Sequence, residues 1–315
     1  MNPSGERREG KNPFRERRGM NGEEERGGDA VALAEKYMKA GMGHFDQKQY
    51  EQAECCYIQA SKISADALGP EHASVAAALA ELGRCYTESQ DKNLDKARDV
   101  LAKSLLIRRR GSERGVATTL QTLGNVLTEQ GKLSEAKAHY EEALDIGRRV
   151  HGDMHPSTGE SYESLANILS CLGQHDDATK LYKKALRIKR SCTGEDDEKV
   201  ANTLFSLGSN LFGQKRYEEA LQMYEESLRT FTRARGVDNK HNASVYCNIA
   251  ATQASAGDVA GALESARESV RIHEVHGRKD EESKKAANLV KHLEEMMLNL
   301  CSLQEQGEAV EKTRG

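Results

Sequence analysis

The fold of this chain is decided by residues 123–143, LGNVLTEQGKLSEAKAHYEEA, and residues 165–185, LANILSCLGQHDDATKLYKKA. The two segments begin 42 residues apart and share one framework. Each opens with leucine, a small residue and asparagine, carries a glycine in the middle, and ends with spaced alanine, tyrosine and alanine. Because self-similarity at a fixed period indicates a repeat architecture, we predict tandem units in place of one deep core.

Two columns of small residues extend this period over six units. The spacings are 42, 41, 42, 42 and 42 in the first column and 42, 41, 42, 42 and 41 in the second. The first column is Gly41, Gly83, Gly124, Ala166, Gly208 and Ala250, and the second is Gly69, Gly111, Gly152, Gly194, Gly236 and Gly277. Two series that keep the same phase are not explained by chance.

The residues around the first column predict two helices in each unit. Leu165, just before Ala166, and Leu169, three residues after it, would share one helical face. Ala178, Tyr182 and Ala185 would form the face of a second helix. Gly173, between them, suits the left-handed cap that ends many helices. The fifth unit has Lys215 where this glycine is expected.

The composition agrees with a narrow core that is repeated. Only 5% of the residues are aromatic and none is tryptophan, whereas 30% are charged. A formal charge of −4 gives no global field for nucleic acid, and no apolar run approaches the length of a membrane span. We therefore expect neither a nucleic-acid nor a membrane partner. The absence of a secretory or transit pattern at the start predicts a cytosolic or nuclear location by default, and we assign the cytoplasm.

No catalytic or cofactor motif is present, so we predict a protein that is not an enzyme and has no cofactor or metal. The seven cysteines lack C-x-x-C spacing and are predicted to be reduced thiols, mostly packed between helices. His151 and His155 are predicted in a surface turn, and His273 at a helix end that favours imidazolium. The basic run that includes Lys189 is predicted on a solvated outer face.

With these residues in view, the units resemble tetratricopeptide repeats. The 42-residue length and the segment Gly152–Pro156 resemble the repeats of kinesin light chains and nephrocystin-3-like proteins. The resemblance implies an all-α fold, a right-handed superhelix of about six helix-turn-helix repeats with a C-terminal capping helix. It also implies a function in protein–protein interaction.

The resulting domain prediction has four parts. They are a disordered charged arm, 1–30; six repeats within 31–280, at about 31–70, 72–111, 115–152, 156–194, 198–236 and 240–277; a capping helix, 281–306; and a disordered tail, 307–315. The apolar stripe of the capping helix could instead form a dimer seam. Because it is short for a stable coiled coil, we expect a monomer.

The resemblance implies that first helices line a concave groove for a partner's peptide segment. The predicted groove residues are Arg84, Gln121, Asn125, Thr128, Glu163, Asn167, Phe205, Ser209 and Phe212. An asparagine amide offers both a donor and an acceptor to a peptide backbone. Phe205 and Phe212 would either anchor a partner side chain or pack between adjacent units.

The function predicted is a scaffold or adaptor, with two alternatives. One is a kinesin light chain-like or nephrocystin-like transport or ciliary adaptor. Gln121-Thr122, Glu163-Ser164 and Phe205-Ser206 depart from the paired asparagines of kinesin light chains, so their cargo specificity is not expected here. The other is a helical-repeat RNA-binding protein, which the neutral to acidic groove residues disfavour.

Overall fold

A computed structural model describes the backbone of residues 13–111, 113–278 and 280–314. All regular secondary structure in these ranges is helical, which confirms the all-α prediction. The helices are α1 Pro13–Asp46, α2 Tyr50–Leu68, α3 Ala73–Glu88, α4 Leu94–Arg109, α5 Glu113–Glu129, α6 Leu133–His151, α7 Pro156–Cys171, α8 His175–Thr193, α9 Glu198–Gly213, α10 Tyr217–Arg235, α11 Lys240–Ser255, α12 Val259–Val275 and α13 Glu281–Arg314.

The chain forms two compact units, Met1–His139 and Tyr140–Gly315. In the first unit α1 packs on α2 and α3 on α4, and α2 and α4 each pack on the helix that follows. In the second unit α7 packs on α8, α9 on α10 and α11 on α12, in the same manner. First helices also touch the next first helix, as in α7 with α9 and α9 with α11. Consecutive helical hairpins are therefore the building blocks of both units.

The small-residue column exists because the two helices of a hairpin approach closely. A Cβ atom added to Gly208 would lie 2.8 Å from Cδ1 of Tyr224, and one added to Gly41 would lie 2.7 Å from Cε1 of Tyr57. At Gly83 the atom would lie 2.5 Å from Cγ of Leu101. Since real Cβ atoms are not found this near other carbons, the large residue of the second helix occupies the space that a side chain would need.

The turns within the hairpins follow from their left-handed residue. Gly173 has φ 75°, and the next amide, of Gln174, donates to the carbonyl of Leu169 at 2.8 Å. Lys215 adopts φ 60° at the corresponding place, and Arg216 N donates to Leu211 O at 3.1 Å. The fifth hairpin thus keeps the cap geometry with a side chain that disfavours it.

Replacing Lys215 by glycine should raise the free energy of unfolding by about 1 kcal/mol, because the left-handed conformation strains a residue with a Cβ atom. Urea denaturation followed by circular dichroism measures the change. The matched variant is Gly173→Lys, which should lower stability by a similar amount. Equal stability of Lys215→Gly and the parent would contradict this reading of the turn.

The two ends differ from the predicted domain limits. Helix α1 begins at Pro13, so residues 13–30, predicted as a disordered arm, are helical, while residues 1–12 lie outside the described residues. Helix α13 continues through the predicted tail to Arg314. The first half of α13 covers the last hairpin, where Leu293 is buried against Ala262 and Ala266. The side chains of Leu300 and Leu303 lie outside the described ones.

Two smaller predictions were wrong. Cys55, Cys171 and Cys192 are exposed, so packing between helices does not account for most of the described thiols. Lys189 is buried and does not face solvent. The helix-end position predicted for His273 is confirmed in the last turn of α12, but the side chain is buried. Burial, and next the charge of Arg278, hold its pKa below the usual range and favour the neutral imidazole.

Candidate functional site

The predicted groove residues divide between the two units. Arg84, Gln121, Asn125 and Thr128 belong to Met1–His139, and Glu163, Asn167, Phe205, Ser209 and Phe212 belong to Tyr140–Gly315. All lie on first helices, namely α3 and α5 in the first unit and α7 and α9 in the second.

In the second unit these residues belong to one continuous helical face, which we call the first-helix face. On each of α7, α9 and α11 it includes six positions, counted from the small residue of that helix. These positions are 6, 3 and 2 residues before the small residue and 1, 4 and 5 residues after it. On one helix the six positions lie within 120° of arc around the helix axis. The members are Glu160, Glu163, Ser164, Asn167, Ser170 and Cys171; Asn202, Phe205, Ser206, Ser209, Phe212 and Gly213; and Ser244, Cys247, Asn248, Ala251, Ala254 and Ser255. Every one is exposed or partly exposed.

Tyrosines of the second helices hold two polar members of this face. The Tyr182 hydroxyl donates to Asn167 Oδ1 at 2.6 Å, and the Tyr224 hydroxyl donates to Ser209 Oγ at 3.0 Å. Burial raises the pKa of both tyrosines, so both hydroxyls stay protonated and can donate. This hydrogen bond fixes the orientation of the Asn167 amide, whose nitrogen is a donor.

Phe205 and Phe212 supply the apolar part of the face. Their rings pack on tyrosines of the second helix of the same hairpin, with centroids 5.6 Å from Tyr224 and 5.8 Å from Tyr217. Both rings are only partly buried. These contacts within one hairpin brace the two rings and leave part of each exposed.

Glu163 is engaged by the protein itself. Lys189 Nζ, on α8, donates to Glu163 Oε2 at 2.5 Å and to Thr203 Oγ1 at 2.8 Å, and the Thr203 hydroxyl donates to Glu163 Oε1 at 2.7 Å. The Lys189 side chain is 5% exposed. The network joins α7, α8 and α9, so Glu163 serves the packing of two hairpins. No local motif signals it, because its three members are far apart in sequence.

In the first unit Arg84 is held in place by neighbours. Its guanidinium lies 5.0 Å from the ring centroid of Phe45, and Nη1 donates to Glu81 Oε2 at 2.8 Å. Thr128 is partly buried and donates to the carbonyl of Gly124 at 2.8 Å. Asn125 is exposed and Gln121 is partly buried.

The first hairpin lacks the acceptor that later hairpins give to their tyrosine. Met42 stands in the register position of Asn167 and Ser209, 15 residues before Tyr57. The Tyr57 hydroxyl is buried without a hydrogen-bond partner among the described residues. A thioether is a weak acceptor, which explains the unpaired hydroxyl.

Met42→Asn should therefore stabilise the first unit by about 1 kcal/mol, because the amide oxygen would accept from the Tyr57 hydroxyl. Thermal and urea denaturation measure the gain. The control places Met42→Asn in a Tyr57→Phe background, where the gain should vanish. A gain that persists without the hydroxyl would assign it to another cause.

A 480 Å³ depression in the first unit contains Cys85, Tyr86 and Glu54. Burial, and next the Glu54 carboxylate, raises the pKa of Cys85 to about 11, so the thiol is a poor nucleophile. Within the described part of the chain, no three His, Cys, Asp or Glu side chains gather as a metal site requires. No described helix has the length and apolarity needed to cross a bilayer.

Comparison with known proteins places the chain in a family. The tetratricopeptide repeat model matches residues 32–110, 87–148, 115–191 and 199–274, which cover most of the sequence. The chain belongs to the tetratricopeptide repeat family, whose members generally act as protein-interaction scaffolds. The predicted class of fold, an all-α protein of tandem tetratricopeptide repeats, is thereby confirmed.

Solved structures of low sequence identity share the fold. BtubC from P. vanneervenii matches with a TM-score of 0.59 at 17% identity, over 82% of this chain and 93% of that one. A putative kinesin light chain from Podosopora anserina matches with a TM-score of 0.57 at 20% identity, over 65% of this chain and 97% of that one. A Rap protein complexed with competence and sporulation factor matches with a TM-score of 0.55 at 15% identity, over 84% of this chain and 75% of that one. No curated protein matches the sequence.

Proposed function

We propose that this protein is a non-enzymatic adaptor that binds a peptide segment of another protein on the first-helix face of its second unit. The observation that carries the proposal is the pairing of outward-directed polar groups with braced aromatic rings. Asn167 is oriented by Tyr182, and Phe205 is supported by Tyr224. A side chain that is fixed before binding loses little entropy when the partner arrives.

An extended segment fits this face better than a small molecule does. The polar members lie on successive first helices, which contact one another. An Asn167 amide can donate to a backbone carbonyl, and a partly exposed Phe212 can receive an apolar side chain. A proposal of binding also agrees with the Rap protein of the same fold, whose structure contains a complex with another factor.

The test begins with ligands selected by the full chain from a displayed library of random peptides. Replacing Asn167 or Phe212 by alanine should lower the affinity for a selected peptide about tenfold or more, because each substitution removes a central contact. Isothermal titration calorimetry measures the affinity, and circular dichroism checks that each variant is folded. Gln222→Ala, at an exposed position of α10, is the matched control.

Affinities that are unchanged in both variants would remove the first-helix face as the binding site. A library that returns no peptide at all would overturn the proposed function itself. The predicted monomeric state is tested in the same preparations by light scattering, where twice 34.8 kDa would contradict it.

The transport and ciliary alternatives have no separate observation in their favour. The likeness to a putative kinesin light chain is at 20% identity and concerns the fold alone. The RNA-binding alternative requires a basic surface, and the first-helix face contains no lysine or arginine.

A further inference from the structure

The charge of the first-helix face differs from that of the whole chain. Charged residues make up 30% of the sequence, yet the charged members of this face are only Glu160 and Glu163. The remaining members are serines, asparagines, alanines, cysteines, a glycine and two phenylalanines. In a chain with so many charged residues, exposed helix faces usually contain many of them. The scarcity of charged residues on the first-helix face therefore needs an explanation.

Both glutamates are already neutralised by lysines of the same unit. Glu163 is bound to Lys189, whose side chain is only 5% exposed. Glu160 is bound to Lys199 at 2.8 Å, between α7 and α9. The face therefore presents no unpaired charge among its described residues.

We infer that the first-helix face selects an uncharged partner segment, consisting of small polar residues around one large apolar side chain. This inference rests on the proposed function and names the class of partner. A charged side chain laid on this face would lose its water without meeting a counter-charge, and that cost rejects charged segments. The serine and alanine side chains are short, so the backbone of a bound segment can approach the helices closely. Phe205 and Phe212 contact the apolar side chain of that segment.

A second consequence concerns salt. Attraction between charges is screened by ions, whereas hydrogen bonds to neutral groups and apolar burial are not. Binding on this face should be nearly independent of ionic strength. Binding through charges would instead weaken steeply as salt is added.

The experiment uses three pools of synthetic peptides that share the same apolar residues and differ only in charge. One pool contains serine, threonine, asparagine and glycine around a central phenylalanine or leucine; in the other two pools half of these polar residues are acidic or basic. The immobilised full chain is exposed to each pool at about 50 and 500 mM salt, and retained peptides are counted by mass spectrometry. The uncharged pool should be retained about tenfold better than either charged pool at the higher salt.

A pair of charge variants sharpens the test. Ser206 lies on the face, three residues before Ser209 on α9, so Ser206→Lys and Ser206→Glu introduce an unpaired charge of either sign. Both variants should lower the retention of the uncharged pool by about fivefold, because the introduced charge must be desolvated when a peptide binds. Gln222→Lys and Gln222→Glu, outside the face on α10, should have no effect.

Opposite effects of the two Ser206 variants, one strengthening and one weakening, would overturn the inference, because they would reveal a charged partner. Retention of a charged pool that falls with salt would also overturn it while leaving the proposed binding function intact. Failure of all three pools, together with an empty displayed library, would instead remove the proposed function.

Discussion

Lys189→Met is expected to lower the free energy of unfolding by about 3 kcal/mol, because it leaves the Glu163 carboxylate partly buried without its counter-charge. The Lys189 and Glu163 side chains are 5% and 20% exposed, and Thr203 closes the network from α9. Urea denaturation followed by circular dichroism measures the loss. Removing one partner of a buried pair costs far more than the pair itself contributes.

The chain provides two controls for this prediction. In the double variant Glu163→Leu with Lys189→Met, most of the loss should be recovered, since no uncompensated charge remains. Lys199→Met breaks the Lys199–Glu160 pair, whose side chains are 57% and 48% exposed, and should cost less than about 1 kcal/mol. Similar losses for Lys189→Met and Lys199→Met would show that burial does not decide the strength of these pairs.

Gly208→Val is expected to lower stability by about 3 kcal/mol, because its branched side chain would collide with the Tyr224 ring. The first added atom would already lie 2.8 Å from Cδ1 of that ring, and Tyr224 is almost completely buried. Neither helix can move away freely, since α9 also packs on α8 and α10 on α11. Denaturation in urea measures the loss.

Rescue distinguishes this collision from a general effect of valine in a helix. In a Tyr224→Ala background, Gly208→Val should cost much less than in the parent, because the space of the ring is open. Additive losses in the double variant would refute the close approach of α9 and α10 at this point.

The sequence alone predicted the repeat architecture because its signal is local and repeated. Gly173 has the left-handed conformation of the turn, and Ala166 and Tyr182 lie on the two helices of the same hairpin. Such features depend on neighbouring residues in one or two helices, so periodicity reveals them. The same local reasoning placed Asn167 and Ser209 on an exposed face, which agrees with their exposure.

Residues whose partners lie in another hairpin are not revealed by a local sequence pattern. The basic run that contains Lys189 predicts a solvated face, although Lys189 is buried. Its partners Glu163 and Thr203 lie 26 and 14 residues away, on other helices. A lysine that projects to water and one that meets a carboxylate inside the stack give the same sequence pattern.

The sequence pattern therefore specifies the helical hairpin and the small residues that let its two helices approach. Which polar side chains hold hairpins together, and which stay exposed, depends on how the helices pack in three dimensions. Glu163 belongs to the first group, and Asn167, which is exposed, belongs to the second. The physical reason is that hairpin formation depends on contacts close in sequence, whereas the charge left on a surface depends on distant residues brought together by packing.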